Sequence, residues 1–405
     1  MESYGSDKPD DNTLRLTLMY TPEANVPRFT YQATQDFGIH DVKYALYGHE
    51  GGWDNGTPWQ AKFLNQPLLT FATERHDGDR GRRIALAVPS TEQIDIMAFK
   101  KMEESPYYVV RVNELFGKAC DGATIEFPSA VAEAFEVDGQ ERRIGKATVR
   151  NGKLTFDIGK FGIRSFAVRF ADTSAPAKPV QEQLLLAYDA DILSDDAARS
   201  DGRMGRSEQT MPAEMLPDTI TSEGIDFAIR GREKGTDNAV ECRGQQITLP
   251  AGDYDRIYLL AAAEEEAAGC FEVDGAEQWL DIAKWKGFVG QHYAQTIVPD
   301  STAYKTLAVD NPYLRKDPIA WFASHCHAPK RNIAYQYCYL YKYGLDIVPG
   351  AKTLTLPDNP CIKIVAVTVA KEGVRTVPLT PLYDDFDDYP VFRWRNRPKF
   401  DLSHR

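Results

Sequence analysis

The stretch YYVVRVNEL, residues 107–115, decides how the rest of the chain is read. Its β-branched and aromatic side chains suit a pleated strand, and nine residues are too few for a self-supporting helix. The same signature recurs on both sides. LRLTLMY (14–20), VKYALYG (42–48), KLTFDI (153–158), RSFAVRF (164–170), RIYLLAAA (256–263) and IKIVAVTVA (362–370) are short and bounded by Gly, Pro, Asp or Asn. AAAEEEAAG (261–269) has helix-forming composition, but it runs into a DG turn and is read as a loop with at most one helical turn. FEVDGQERRI (135–144) and FEVDGAEQWL (271–280) each read as a hairpin about Asp-Gly, a likeness of turn chemistry and not of a repeat. The chain is expected to be all-β.

The pattern breaks at ADTSAPAKPVQEQ (171–183), whose prolines and small polar residues suit an extended connection. The expected organisation is therefore two β-sandwich domains. A supersandwich-like unit occupies 1–172, a linker 173–183, a jelly-roll-like unit 184–370, and a C-terminal strap 371–405. A length of 405 residues, with 43% hydrophobic and 11% aromatic residues, is enough for cores in both.

Composition excludes several classes of function. A formal charge of −12 argues against binding a phosphate backbone, so nucleic acid is not an expected partner. No apolar run approaches the roughly 20 residues that span a bilayer, and MESYGSDKPDD lacks the basic and apolar segments of an export signal. A soluble protein with no membrane partner is expected, cytoplasmic or periplasmic. The six cysteines are unevenly scattered with no CxxC pair, and are read as small buried hydrophobes.

Several segments resemble a known family. DFGIHDVKYALYGHEGGW (36–53) carries Asp36, Gly38, His40, the run from Tyr44 to Tyr47, His49 and Trp53, and KFLNQPLLTF (62–71) carries Leu64, Asn65, Pro67 and Leu68. With MAFKKMEESPYYVVRVNELFGKA (97–119), these are similar to the β-sandwich portion of glycoside hydrolase family 38 α-mannosidases. The resemblance spans roughly residues 14–170. Gly48 stands where family members commonly have proline, which loosens that turn. MPAEMLP (211–217), NAVECRGQQITLP (238–250) and the WFASHCH strand look like the accessory jelly roll of some bacterial members. The resemblance implies chemistry in an N-terminal α/β barrel, where zinc bound by His and Asp ligands holds the sugar and an aspartate attacks it. This chain shows no His-x-Asp sequence and no alternating strand-helix pattern. It is expected to lack the catalytic domain, to pack on that domain, and to meet α-mannoside glycans through the parent enzyme. No cofactor is expected in this chain, the zinc belonging to the missing domain.

No catalytic residues are expected here. The pairs Glu103-Glu104, Asp195-Asp196 and Asp384-Asp385 are sequence neighbours, which on a strand point to opposite faces and in a loop are solvated. In WFASHCHAPK (321–330), alternation puts Trp321, Ala323, His325 and His327 on one face and Phe322, Ser324 and Cys326 on the other. That leaves two imidazoles where zinc takes three or four ligands, with nothing in the sequence to place His292 or Asp317 nearby. The pair is read as structural and no metal site is expected. Carbohydrate contact is expected instead from Trp53, Trp59 and His49 around EGGWDNGTPW (50–59), whose tryptophans either touch ligand or pin the loop. Tyr335, Tyr337 and Tyr339 are the second candidate. They belong to a ladder continued by Tyr341 and Tyr343, which is either a packing face or a sugar platform. The two functional classes left open are the scaffold half of an α-mannosidase and a stand-alone carbohydrate-binding protein.

Overall fold

Wherever alternating β-branched and aromatic residues find a partner strand, the chain is a ladder. The computed structural model describes residues 5–18, 42–76, 81–103, 105–172, 178–206, 208–291, 294–299, 304–310, 313–348, 350–372, 374 and 376–383. Asp36, Gly38, His40, His292, Glu104, Asp384, Asp385, linker residues 173–177 and strap residues 384–405 lie outside them. Among the described residues the strands are joined by one α-helix, Thr57–Asn65, and one 3₁₀ turn, Ala213–Met215. The chain divides into two compact units. One is made of 1–22, 40–69 and 75–176, the other of 23–39, 70–74 and 177–405.

The first unit holds two antiparallel sheets. A five-stranded sheet runs in the order Ile94–Lys101, Tyr108–Glu114, Ile163–Phe170, Val131–Val137, Arg143–Lys146. A four-stranded sheet runs Thr148–Arg150, Lys153–Ile158, Cys120–Glu126, Val88–Pro89. Strand alternation sends Val110, Val112, Phe166 and Val168 into a core shared with Ile125, Leu154 and Phe156. Val109 and Ala167, on the opposite face of the same strands, pack with Phe135 and Val137.

The second unit is built on a six-stranded sheet. Its main path is Val180–Gln183, Ile362–Lys371, Arg256–Ala263, Arg331–Asp346, Ile319–Ala328, with Val240–Glu241 also paired to Ile362–Lys371. A four-stranded sheet runs Gln246–Thr248, Thr353–Thr355, Ala267–Val273, Ala276–Ile282. Arg256–Ala263 and Ile362–Lys371 are buried almost end to end, which accounts for their unbroken apolar sequences. The hairpin at 267–282 turns through Asp274 (φ 48°) and Gly275 (φ 82°), the left-handed pair that Asp-Gly supplies.

Four expectations need correction. VKYALYG (42–48) forms no strand: every residue is exposed and no ladder partner stands beside it among the described residues. Alternation only makes a strand possible, and pairing makes it real. Thr57–Asn65 is a helix, started by Pro58 in its first turn after Gly56 at φ 87°. It is held by Trp59 Nε1 donating to Glu92 O (3.1 Å) and by the Lys62–Asp95 ion pair. The end of the expected linker, Val180–Gln183, is an edge strand paired with Ile362–Lys371. Within the expected strap, Thr376–Pro378 pairs antiparallel with Phe71–Thr73, both in the second unit.

Candidate functional site

The glycine-rich loop at 50–59 is tied down at three points. Asp54 pairs with Lys118 (2.7 Å), Asn55 Nδ2 donates to Glu50 O (2.8 Å), and Trp59 anchors the helix that follows. Trp59 is therefore a partly buried pin, with Lys62 Nζ 5.4 Å from its ring centre. Trp53 is 49% exposed and stacks on exposed Phe161, ring centres 6.0 Å apart at 24°. Phe161 is held at φ 50°, and its ring lies over Gly117 (φ 69°), where a Cβ would meet it at 2.5 Å. Only glycine leaves room for the ring and adopts that backbone without strain.

His49 braces the same loop. Its Nδ1 donates to Glu50 O (3.2 Å), since a carbonyl can only accept, and Nε2 in the neutral ring then takes the Thr57 hydroxyl (3.0 Å). Tyr47 stacks on it at 5.1 Å. The loop thus carries two exposed ring stacks, Tyr47 on His49 and Trp53 on Phe161. Such rings can face the CH side of a pyranose, with nearby polar atoms for its hydroxyls.

The tyrosines separate into two groups. Tyr335 sits at φ 60° and is 79% exposed. Around it the register slips, Ala323 facing Cys338 while His325 faces Ala334, so extra residues bulge from the tyrosine strand and break the five-phenol ladder. Past the bulge, Tyr339, Tyr341 and Tyr343 are buried. Tyr339 donates to Gly287 O (3.0 Å) and Tyr343 to Asp317 Oδ1 (2.9 Å), while Tyr341 accepts from Arg315 Nη1 (2.9 Å). Burial pushes all three phenols above their ordinary pKa. That part of the ladder is a packing face. Tyr335, exposed, and Tyr337, half-buried, are the members open to a ligand.

Two features were missed by sequence reading. Glu114, in the VNEL segment, is 2% exposed and accepts N–H bonds from Phe116 (2.7 Å), Phe161 (2.8 Å) and Lys118 (3.1 Å). These bonds tie the turn that carries Gly117 to the turn that carries Phe161. A polar cleft of about 560 Å³ also opens in the second unit beside Asp191, Arg203, Asp237, Arg243 and Lys363. Within it Lys363 Nζ lies 2.9 Å from Glu241, which also pairs with Arg243, so part of its charge is internally compensated. A carboxylate closing an otherwise apolar strand was the available signal for Glu114.

Of the acidic pairs, Asp195 and Asp196 diverge. Asp195 Oδ1 accepts the N–H of Ala197 (2.8 Å) and Ala198 (2.7 Å), while Asp196 Oδ1 accepts from Arg199 (2.7 Å) and Asn332 (2.8 Å). Those bonds, Asn332 first, hold Asp196 below the usual carboxylate pKa. The two carboxyl groups do not act as a pair.

Comparison with known families places two matches along the chain. Residues 93–166 match the C-terminal β-sandwich domain of glycosyl hydrolases family 38. Residues 180–373 match an AziU2-like β-sandwich domain. No curated protein matches the chain. The first match covers both sheets of the first unit in part, and the second covers most of the second unit, so each is similar to a β-sandwich domain found in other proteins.

Proposed function

We propose that this chain is a non-catalytic β-sandwich part of an α-mannosidase-like glycosidase, a scaffold that packs on a catalytic domain and lends it carbohydrate contacts. The observation that carries the reading is a set of large apolar side chains left exposed, among the described residues, in the unit that contains the family 38 match. Val42, Tyr44, Leu46, Leu68 and Leu69 are all exposed, Leu46 at 85% and Leu68 at 89%. Scattered apolar residues are ordinary on a surface, but two extended runs of them suit a covering partner, and a catalytic domain is the partner the family match suggests. Zinc would act in that domain, where it holds the sugar. The carbohydrate contact would run through Trp53 and Phe161, braced by His49, with Trp59 fixing the loop and Tyr335 and Tyr337 as a further surface.

The test is to assay zinc-supplemented aryl α-mannoside hydrolysis by this chain alone, by a family 38 catalytic domain alone, and by both together. The scaffold reading expects activity only, or far more strongly, in the mixture. Turnover by this chain alone, or full activity of the catalytic domain without it, would defeat it. Calorimetry with a mannoside separates the alternative of a stand-alone binding protein, which expects affinity undiminished by the absence of any catalytic partner.

A further inference from the structure

His325 and His327 leave one face of the strand Ile319–Ala328, their ring centres 5.3 Å apart. The register slip beside them falls in the neighbouring strand and does not separate them. A third donor arrives from elsewhere in the chain. Glu214 sits in the 3₁₀ turn Ala213–Met215, which is clamped on both sides. On one side Thr210 and His327 exchange backbone N–H···O bonds (3.2 and 3.0 Å); on the other Trp321 Nε1 donates to Met215 O (3.1 Å). This leaves Glu214 Oε1 3.0 Å from His327 Nε2 and 3.5 Å from His325 Nε2.

These distances fit donors around one ion. Bonds of about 2.0–2.2 Å in tetrahedral geometry place neighbouring donor atoms roughly 3.3–3.5 Å apart. The three donor atoms here all lie within 4.8 Å of one another. His325 Nε2 is buried and has no hydrogen-bond partner, an arrangement that proteins seldom leave uncompensated. His327 is fully buried, and its Nδ1 lies 2.9 Å from Ser194 Oγ, which in turn pairs with Thr210 Oγ1. A ring nitrogen held by such a partner fixes the imidazole and frees Nε2 to bind a cation, the usual support for a metal-binding histidine. Asp196 Oδ1, 3.6 Å from His327 Nε2, adds negative charge. Ser194, His327 and Glu214 also line up like a nucleophile and its base. Ser194 is 3% exposed, however, so no substrate reaches its hydroxyl.

We propose that Glu214, His325 and His327 form a three-ligand site for a divalent transition ion of the zinc class, with a fourth position open to water. The side chain of Glu214 is 35% exposed and that of His325 19%, which gives the ion an approach from solvent. The expectation of no metal counted two imidazoles and no third ligand. The turn at 213–215 supplies it. The site stands independently of the glycosidase reading, since it lies wholly within the second unit.

The test uses the full chain, stripped with a chelator and titrated with Zn(II) by calorimetry and with Co(II) by visible absorption. One equivalent of each is expected, with the intense d–d bands of four- or five-coordinate Co(II) and a melting temperature that rises with Zn(II). Glu214→Gln and His325→Ala should each abolish the bands while the far-ultraviolet circular dichroism stays unchanged. Ser194→Ala should weaken binding about 10- to 100-fold, as loss of an outer partner does. Should His325→Ala fail to fold, Glu214→Gln, on an accessible turn, still decides. No uptake by the wild-type chain, or uptake indifferent to Glu214→Gln, overturns the site and leaves the histidines as a hydrogen-bonded pair.

Discussion

Glu114 is a carboxylate buried in an apolar unit, and two opposed effects set its charge. Desolvation raises its pKa, but the N–H groups of Phe161 and Phe116, with Gln93 and Lys118, favour the ionised form and hold it below the ordinary value. A depressed folded-state pKa contributes stability that is present above the unfolded value and lost as pH falls through the folded one. Urea unfolding should thus be insensitive to this group near neutrality and weaken in acid, below the ordinary Glu range. Glu114→Gln, which cannot accept all three N–H bonds with one carbonyl, should cost about 1–3 kcal/mol at neutral pH and flatten that acid limb. At Gly117, alanine should cost about 1–2 kcal/mol for the left-handed backbone alone and more from its clash with Phe161, measured by the same titration. Trp53→Ala is the cleaner probe of function, because Trp53 is exposed while Trp59 also anchors a helix. It should lower mannoside affinity about tenfold, or roughly 1.4 kcal/mol by calorimetry; unchanged binding would move the contact to Tyr335 and Tyr337.

The strand Arg331–Asp346 shows how one element serves two ends. Its later half lies in the middle of the six-stranded sheet, where Tyr343 accepts the N–H of Ala283 (2.8 Å) and donates to Asp317. Tyr343→Phe leaves both groups unpaired and should cost about 1–3 kcal/mol. Its earlier half bulges at Tyr335, whose positive φ is strained for any residue with a Cβ. Tyr335→Gly should be neutral or stabilising by up to about 1 kcal/mol in thermal melts, the opposite sign from Tyr343→Phe despite the same residue type. Strict alternation over 335–343 promised one continuous face. A bulge is invisible to that pattern, since it depends on which residue of the partner strand each residue meets. VKYALYG failed for the same reason: its pattern was sound, but among the described residues no strand pairs with it. The helix at 57–65 carried a signal in Thr57-Pro58, and its short length hid it among strands.

At the scale of the whole chain, a circular dichroism spectrum dominated by β-structure is the expected outcome, and a helical one would contradict the fold. Composition and period were enough to establish that class. KLTFDI and RIYLLAAA are strands over the residues read from sequence, because local propensity, apolar period and burial agree there. The Asp-Gly hairpin at 274–275 was equally legible, its geometry being local to two residues. What the tertiary structure alone decided were the meetings of distant segments. The register slip opposite His325, Glu114 under the turn that carries Phe161, and above all Glu214 arriving 111 residues before His325 to complete a third ligand are of this kind. A linear pattern records which face a side chain takes along its own strand. It holds no record of which other segment is folded against that face, because that choice is made by packing and by backbone bonds such as the Thr210–His327 bridge.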